Sequence, residues 1–210
     1  GLKPNTVSTY MRMLRSIYNR GVEAGSAPYV HRLFHEVYTG VDVRQKKALP
    51  VGELRRLLYE DPKSDYLRNT QMIAALMFQF CGMSFADLAH LEKSSLEQNV
   101  IRYNRVKTKT PISVEILDTA KDMINQLRNR QPPHPNCPDY LFNILSGDKK
   151  RKDESGYREY QSALRKFNNQ LRGLAKALHL TSPVTSYTIR HSWRSEERRV
   201  GKECRSRWSP

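Results

Sequence analysis

The sequence predicts a mostly α protein with a small antiparallel β-sheet, an α+β arrangement. Three observations carry this. Apolar residues recur at helical spacing over several separate segments, most clearly from Tyr160 to Leu178. Residues 98 to 116 instead alternate with period two about a Lys-Thr-Lys-Thr-Pro turn. No internal repeat appears, so neither a solenoid nor an array is expected.

The elements follow in order. A first helix is expected over residues 5 to 24, capped by Asn5 or Thr6. Val7, Tyr10, Met11, Leu14, Ile17, Tyr18 and Val22 form its apolar stripe, and Gly25 ends it. Arg12, Arg15 and Arg20 lie off that stripe, as either a phosphate-facing row or an ordinary solvated face. Residues 37 to 48 lack period, carry Arg44, Gln45, Lys46 and Lys47, and read as a linker. Pro50 suits the first turn of a helix running to about Tyr59. A strongly apolar helix spans 65 to 80, with Leu67, Met72, Ile73, Leu76, Met77 and Phe80, and Gly82 breaks it. Phe85 to Leu91 forms a short helix, capped by Ser84, with Asp87 near its N-terminal end. After the hairpin, Leu117 to Asn129 returns to helix, with Leu117, Ala120, Met123, Ile124 and Leu127 on one face. Residues 147 to 156 form a charged loop, read as a solvated insertion rather than a DNA contact. Beyond the Tyr160 to Leu178 helix, Thr181 to Ser186 is an extended approach to a last helix near Thr188.

Length and composition limit what the chain can do. It has 210 residues, 38% apolar and 27% charged, which suits one good-sized or two small globular domains. No run of about 18 apolar residues exists, so no membrane span is expected. The first residues have no apolar signal core, and the missing initial Met fits a chain cut at its front. Cys81, Cys137 and Cys204 are an odd, sparse set, which argues against a disulfide framework and fits a reducing cytoplasm. His134 and Cys137 lie close together, but two ligands do not make a zinc site, and a Pro-rich turn is the better reading. No metal or cofactor is expected. The 36 basic and 21 acidic residues give +15, an excess that favours a polyanionic partner, since each neutralised phosphate releases counterions.

Three segments then carry a resemblance. FCGMSFADLAHLEKSSL (80 to 96), RYNRVKTKTPISVEI (102 to 116) and VTSYTIRHSW (184 to 193) match, in order and spacing, the first box, the Lys-Thr hairpin and the second box of the tyrosine recombinases. The match covers about residues 45 to 193 and is closest to integrases of bacterial mobile elements. Residues 1 to 36 resemble the end of that family's helical, SAM-like core-binding domain, residues 37 to 48 the linker, and 49 to 193 the catalytic domain. The resemblance implies a DNA breaking-rejoining fold and site-specific recombination or integration by transesterification at a DNA phosphate. It also implies a 3′-phosphotyrosyl intermediate, no ATP and no metal. The implied partner is double-stranded DNA, bound by a tetramer on two duplexes in the bacterial cytoplasm, at the nucleoid.

Such chemistry needs positive donors on the scissile phosphate, a general acid for the leaving 5′-oxygen and a tyrosine nucleophile. Arg190 aligns with the family's second arginine, and its planar fork suits bidentate phosphate binding. A cation near a helix start opposes the macrodipole, so a purely structural role fits it poorly. Lys107, at the hairpin tip, aligns with the general-acid lysine, and Lys109 is close enough to compete for that role. Tyr187 stands where most of the family has His or Lys, and its phenol donates hydrogen bonds. It is not expected to be the nucleophile. His191 reads as a packing residue.

Ser84 is the main departure, because the family's first arginine belongs there. Losing such a group without compensation costs about 2 to 4 kcal/mol in the transition state. Cys81 does not supply the charge; Arg102 or Arg105 on the hairpin can. Arg12, Arg15, Arg20, Arg105 and Lys109 complete the expected DNA contacts.

Residues 194 to 210 have no apolar face and look like a translated sequencing adapter, a non-native tail without the family's tyrosine-bearing end. Without it, 30 basic and 18 acidic residues still leave +12. A truncated and inactive integrase is therefore the expected state of these 210 residues. The competing reading is a non-catalytic DNA-binding protein, such as an excision factor or regulator. Geometry separates the two: a recombinase gathers Arg190, the Lys107 hairpin and Ser84 in one cleft. An RNA-binding domain is disfavoured by the lack of an identifiable aromatic stacking platform.

Overall fold

The structure is a computed structural model that describes residues 1–40, 48–130, 139–146 and 153–200, with only the backbone for 197–200. The chain forms two compact units, Gly1–Lys46 and Lys47–Pro210.

In the first unit, helix α1 (Pro4–Glu23) begins one residue earlier than Asn5, with Lys3 at the cap. The reason is Pro4. Its fixed φ is already helical, and its missing N–H costs nothing in a first turn. Asn5 and Thr6 therefore sit inside the helix. Gly25, at φ 71°, ends it as expected. The Tyr18 hydroxyl donates to the Pro28 carbonyl at 2.8 Å and accepts from the Val30 amide at 2.7 Å, folding the following segment back on α1. The expected apolar stripe is not a buried face within this unit: Tyr10, Leu14 and Ile17 are exposed.

The second unit is built around α3 (Asp65–Gln79), whose residues from Thr70 to Met77 are all buried. Helical periodicity vanishes from its burial because α2 (Val51–Tyr59), α5 (Asp118–Arg130), α6 (Glu154–Ala177) and α7 (Ser186–Val200) all pack on it. A helix that is apolar on every side belongs at a domain's centre. The short α4 (Phe85–Ala89) follows, and a stacked pair, Phe85 on Phe167 at 4.6 Å, joins α4 to α6. The sheet is antiparallel, in the order β1 (Leu96–Glu97), β2 (Val100–Asn104), β3 (Pro111–Glu115). Ile101 pairs with Val114, both buried, so the hairpin turns one face to the core.

Several boundaries move. Leu117 precedes α5 and is exposed, so the buried face is Ala120, Ile124 and Leu127. Helix α6 starts at Glu154, six residues before Tyr160, because the charged segment supplies helix formers once Phe167, Leu171 and Leu174 anchor the far end. The rest of that expected loop, 147–152, lies outside the described residues, as do the 41–47 part of the linker, His134 and Cys137. Helix α7 starts at Ser186 and continues through Arg194 to Val200. The Arg, Ser and Glu residues of that stretch tolerate a helix without an apolar face of their own, since α7 is already nucleated by its first turns. Residues 201–210 lie outside the described residues. Cys81 is disulfide-bonded, against the expectation of free thiols, and its partner is also outside them. Cys81 sits in a left-handed turn just past α3, partly buried against the core.

The start of α7 is fixed from several sides. Thr185 and Thr188 cap it reciprocally, and the Ser186 amide donates to Asn168 Oδ1 at 2.9 Å. The buried Ser192 hydroxyl accepts from the Leu49 amide at 2.8 Å, tying α7 to the start of this unit. Glu53 on α2 accepts from the Thr181 amide at 3.0 Å and from the Thr181 hydroxyl, and its other oxygen accepts from the Ser182 amide at 3.3 Å. These bonds, Thr181 first and Ser182 next, pull its carboxyl from 4.5 down to about 2. A depressed carboxyl stabilises the fold above its unfolded pKa and loses that contribution as pH falls through the folded one. Glu53→Ala should therefore cost about 1 kcal/mol at pH 7. Denaturant titrations at stepped pH should show that difference shrinking as pH falls from about 4.5 to about 2.

Candidate functional site

The site begins with a break in helix geometry. Cys81 and Gly82, at φ 56° and 65°, are both left-handed and turn the chain sharply after α3. A side chain at Gly82 would meet the Trp193 ring, with a Cβ only 2.8 Å from Trp193 Cε3. The position thus needs glycine twice, for its φ and for the indole lying against it. The turn also aims the Gly82 carbonyl at α7, where Arg190 Nη1 donates to it.

The next residues cap α4 through Ser84. The Ser84 hydroxyl accepts from the Asp87 amide at 3.2 Å and donates to Asp87 Oδ2 at 2.7 Å. Asp87 is buried, with a side chain 3% exposed. Its Oδ1 accepts from the Val106 amide at 2.8 Å, and Arg105 Nε lies 3.8 Å from Oδ2. One carboxylate thus joins the start of α4 to the neck of the hairpin turn. A buried charge needs such partners, because removal from water is costly without them.

Lys107 follows Val106 directly and is exposed on the turn, as is Lys109, which adopts φ 60°. The turn is closed by the Arg105 amide on the Thr110 carbonyl and the Lys109 amide on the Arg105 carbonyl, each at 2.9 Å. Arg102, one step along from Tyr103, points to the other face of β2 and pairs with Glu97. Ile101 and Tyr103 take the inner face, and Arg105, just past the strand's end, stays on that side through its ion pair with Asp87. The hairpin arginine at the site is therefore Arg105, not Arg102.

Arg190 is half-buried, and burial first, then the neighbouring Arg105, lowers its guanidinium pKa. Two arginines near enough to repel one another, with the single carboxylate of Asp87 beside them, leave a net positive charge. An anion entering there relieves the repulsion. Tyr187 stands on α7 one turn before Arg190, largely exposed, its ring edge-on to His191 at 4.5 Å.

The structure therefore brings together Ser84, Arg105, Arg190, Tyr187 and the neck of the Lys107 turn. Arg12, Arg15 and Arg20 lie on the first unit, exposed on α1. Two residues escaped sequence reasoning. Asp87 was noticed only as an acidic residue in a first turn, although Ser-x-x-Asp is itself a capping signal. Tyr103 was noticed only as part of an alternation. Its spacing of two from Arg105 put both on one side. Among the described residues no group of three or more His, Cys, Asp or Glu is arranged to hold a metal, and no helix is long and apolar enough to cross a membrane.

No sequence family matches the chain, and no protein of curated function does. Solved structures do. The XerH site-specific recombinase bound to its difH substrate superposes with a TM-score of 0.66 at 15% identity, over 96% of this chain and 57% of that one. XerA recombinase gives 0.52 at 18% identity, over 93% and 63%. A lambda integrase tetramer bound to a Holliday junction gives 0.57 at 15% identity, over 90% and 51%. The chain thus has the fold of the tyrosine recombinases and spans about six tenths of the length of XerA and XerH.

The Gly82 turn yields a direct test. Gly82→Ala should destabilise the protein by more than about 1 kcal/mol in urea titrations, because both φ and the indole oppose a methyl group. Adding Trp193→Ala should remove the clash but not the backbone strain, so the double variant recovers only part of the loss relative to Trp193→Ala alone.

Proposed function

We propose that this chain is a tyrosine-type DNA strand transferase, the catalytic half of a site-specific recombinase or integrase acting on double-stranded DNA. The observation that carries this reading is the convergence of Arg190, Arg105, Ser84 and the Lys107 turn about the single carboxylate of Asp87. A non-catalytic DNA-binding regulator needs no such convergence.

The roles follow from the chemistry. Arg190 binds the nonbridging oxygens of the scissile phosphate, where charge builds in the transition state. Arg105 supplies the second guanidinium in place of the arginine that Ser84 lacks. It can do so because it faces the cleft and Arg102 does not. Ser84 is left with a structural task, capping α4 and steadying Asp87. Lys107, on an exposed turn held only at its neck, protonates the departing 5′-oxygen. Tyr187 donates a hydrogen bond to the phosphate beside Arg190. Lys109, with Arg12, Arg15 and Arg20 of the first unit, contacts the DNA backbone. The reaction calls on no metal or cofactor. Assembly as a tetramer on two duplexes belongs to the same proposal; lambda integrase is a tetramer when bound to a Holliday junction.

Residues 1–210 contain no tyrosine after Tyr187. We therefore expect a polypeptide of this sequence to bind DNA without cutting it. Incubation with a nicked suicide duplex should give no covalent adduct on a denaturing gel; a phosphotyrosyl adduct would refute the inactivity. Arg190→Ala should weaken duplex binding and lower the slope of log K against log salt by about 0.9, one phosphate contact. In a chain completed with a nucleophile-bearing C-terminal part, Arg105→Ala should cut cleavage about 100-fold or more. Unchanged cleavage by that variant would remove Arg105 from the mechanism.

A further inference from the structure

Tyr103 is planted beside the arginines and has no assigned role. It lies in the middle of β2, opposite Ile112, two residues from Ile101 on one side and from Arg105 on the other. Alternation puts Ile101 and Tyr103 on the inner face, and Arg105, just past the strand's end, keeps to that side by pairing with the buried Asp87. Ile101 is fully buried and Tyr103 packs against the same core. The ring is thus fixed by the fold, not free to swing.

The hydroxyl is in a different situation. It makes no hydrogen bond among the described residues, yet it is not among the buried polar atoms left without a partner, so it reaches solvent. A tyrosine with a buried ring usually finds its hydroxyl a protein partner. Here the charged groups that act on the phenol are Asp87, Arg105 and Arg190, the groups that frame the cleft. Burial first and Asp87 next push its pKa up, so the phenol keeps its proton and can only act as a neutral donor or acceptor. It is unsuited to be a nucleophile.

We infer that the Tyr103 hydroxyl is a third donor to the DNA phosphate held by Arg105 and Arg190, an uncharged group that positions the anion between two guanidiniums. The inference rests on the phosphate-binding reading of that cleft. It adds a specific chemistry to it: the two arginines supply charge, and the phenol supplies a direction, because its ring cannot rotate out of the core.

The test uses Tyr103→Phe, which keeps the ring and its packing and removes only the hydroxyl. Binding of the full chain to a 30-base-pair duplex is followed by fluorescence anisotropy across a salt series, beside wild type, Arg105→Ala and Arg190→Ala. Tyr103→Phe should bind about 3- to 10-fold more weakly with an unchanged salt slope, since a neutral donor releases no counterion. The arginine variants should lose both affinity and slope. A purely packing tyrosine predicts wild-type binding for Tyr103→Phe, and that result overturns the assignment while leaving the cleft intact. If the arginine variants also bind like wild type, the phosphate site itself is wrong and the Tyr103 role falls with it.

Discussion

Asp87 has almost no access to water, and the arrangement of the site depends on how that charge is satisfied. Ser84 and the Val106 amide each give it a hydrogen bond, and Arg105 gives it an ion pair. Each partner comes from a place that must be in register with the others: the start of α4 and two consecutive residues at the neck of the hairpin. A buried carboxylate without these partners would cost several kcal/mol, so the hairpin and the helix are locked to one another by the penalty for separating them. The lysine-bearing turn then projects from a fixed base, and Arg105 is held on the inner face instead of extending into solvent.

The second fixed relation is between the turn at Cys81 and Gly82 and helix α7. Trp193 lies on Gly82, and Arg190 donates to its carbonyl. Those two contacts come from the same stretch of α7, three residues apart, so they act on one face of the helix. Thr185, Asn168 and Ser192 fix the other degrees of freedom of α7. The positive groups therefore stand on two separately anchored elements, the neck of the hairpin and α7, and α7 packs on α3. Mutual repulsion between Arg105 and Arg190 is tolerated because the scaffold, not the pair, sets their separation.

Much of the fold was legible in the residues. The period of α6 and the alternation of the hairpin predicted both elements, and Ser84 was recognisable as a cap. Ends were less legible. Pro4 outweighed Asn5 and Thr6 as a helix start, and α6 reached back into charged residues that no apolar pattern marks. Leu117 fitted the helical period but fell just outside the helix. The α1 stripe was readable as amphipathic, yet Tyr10, Leu14 and Ile17 are exposed, since a stripe specifies only which face is apolar and not whether a neighbour covers it.

The sequence by itself determined the α+β class, the basic character and the cap at Ser84. It left open which hairpin arginine lies on the inner side. Arg102 and Arg105 are chemically equal and three residues apart, so no local rule separates them. Only the tertiary structure decided between them: Ile101 and Tyr103 face the inner side of β2, and Arg105, just past the strand's end, keeps to that side. That places Arg105 beside the buried Asp87 and sends Arg102 to Glu97 on the outer face. The side of a strand that faces the core is a property of what packs on it, and here the group that holds Arg105 inward is Asp87 of α4.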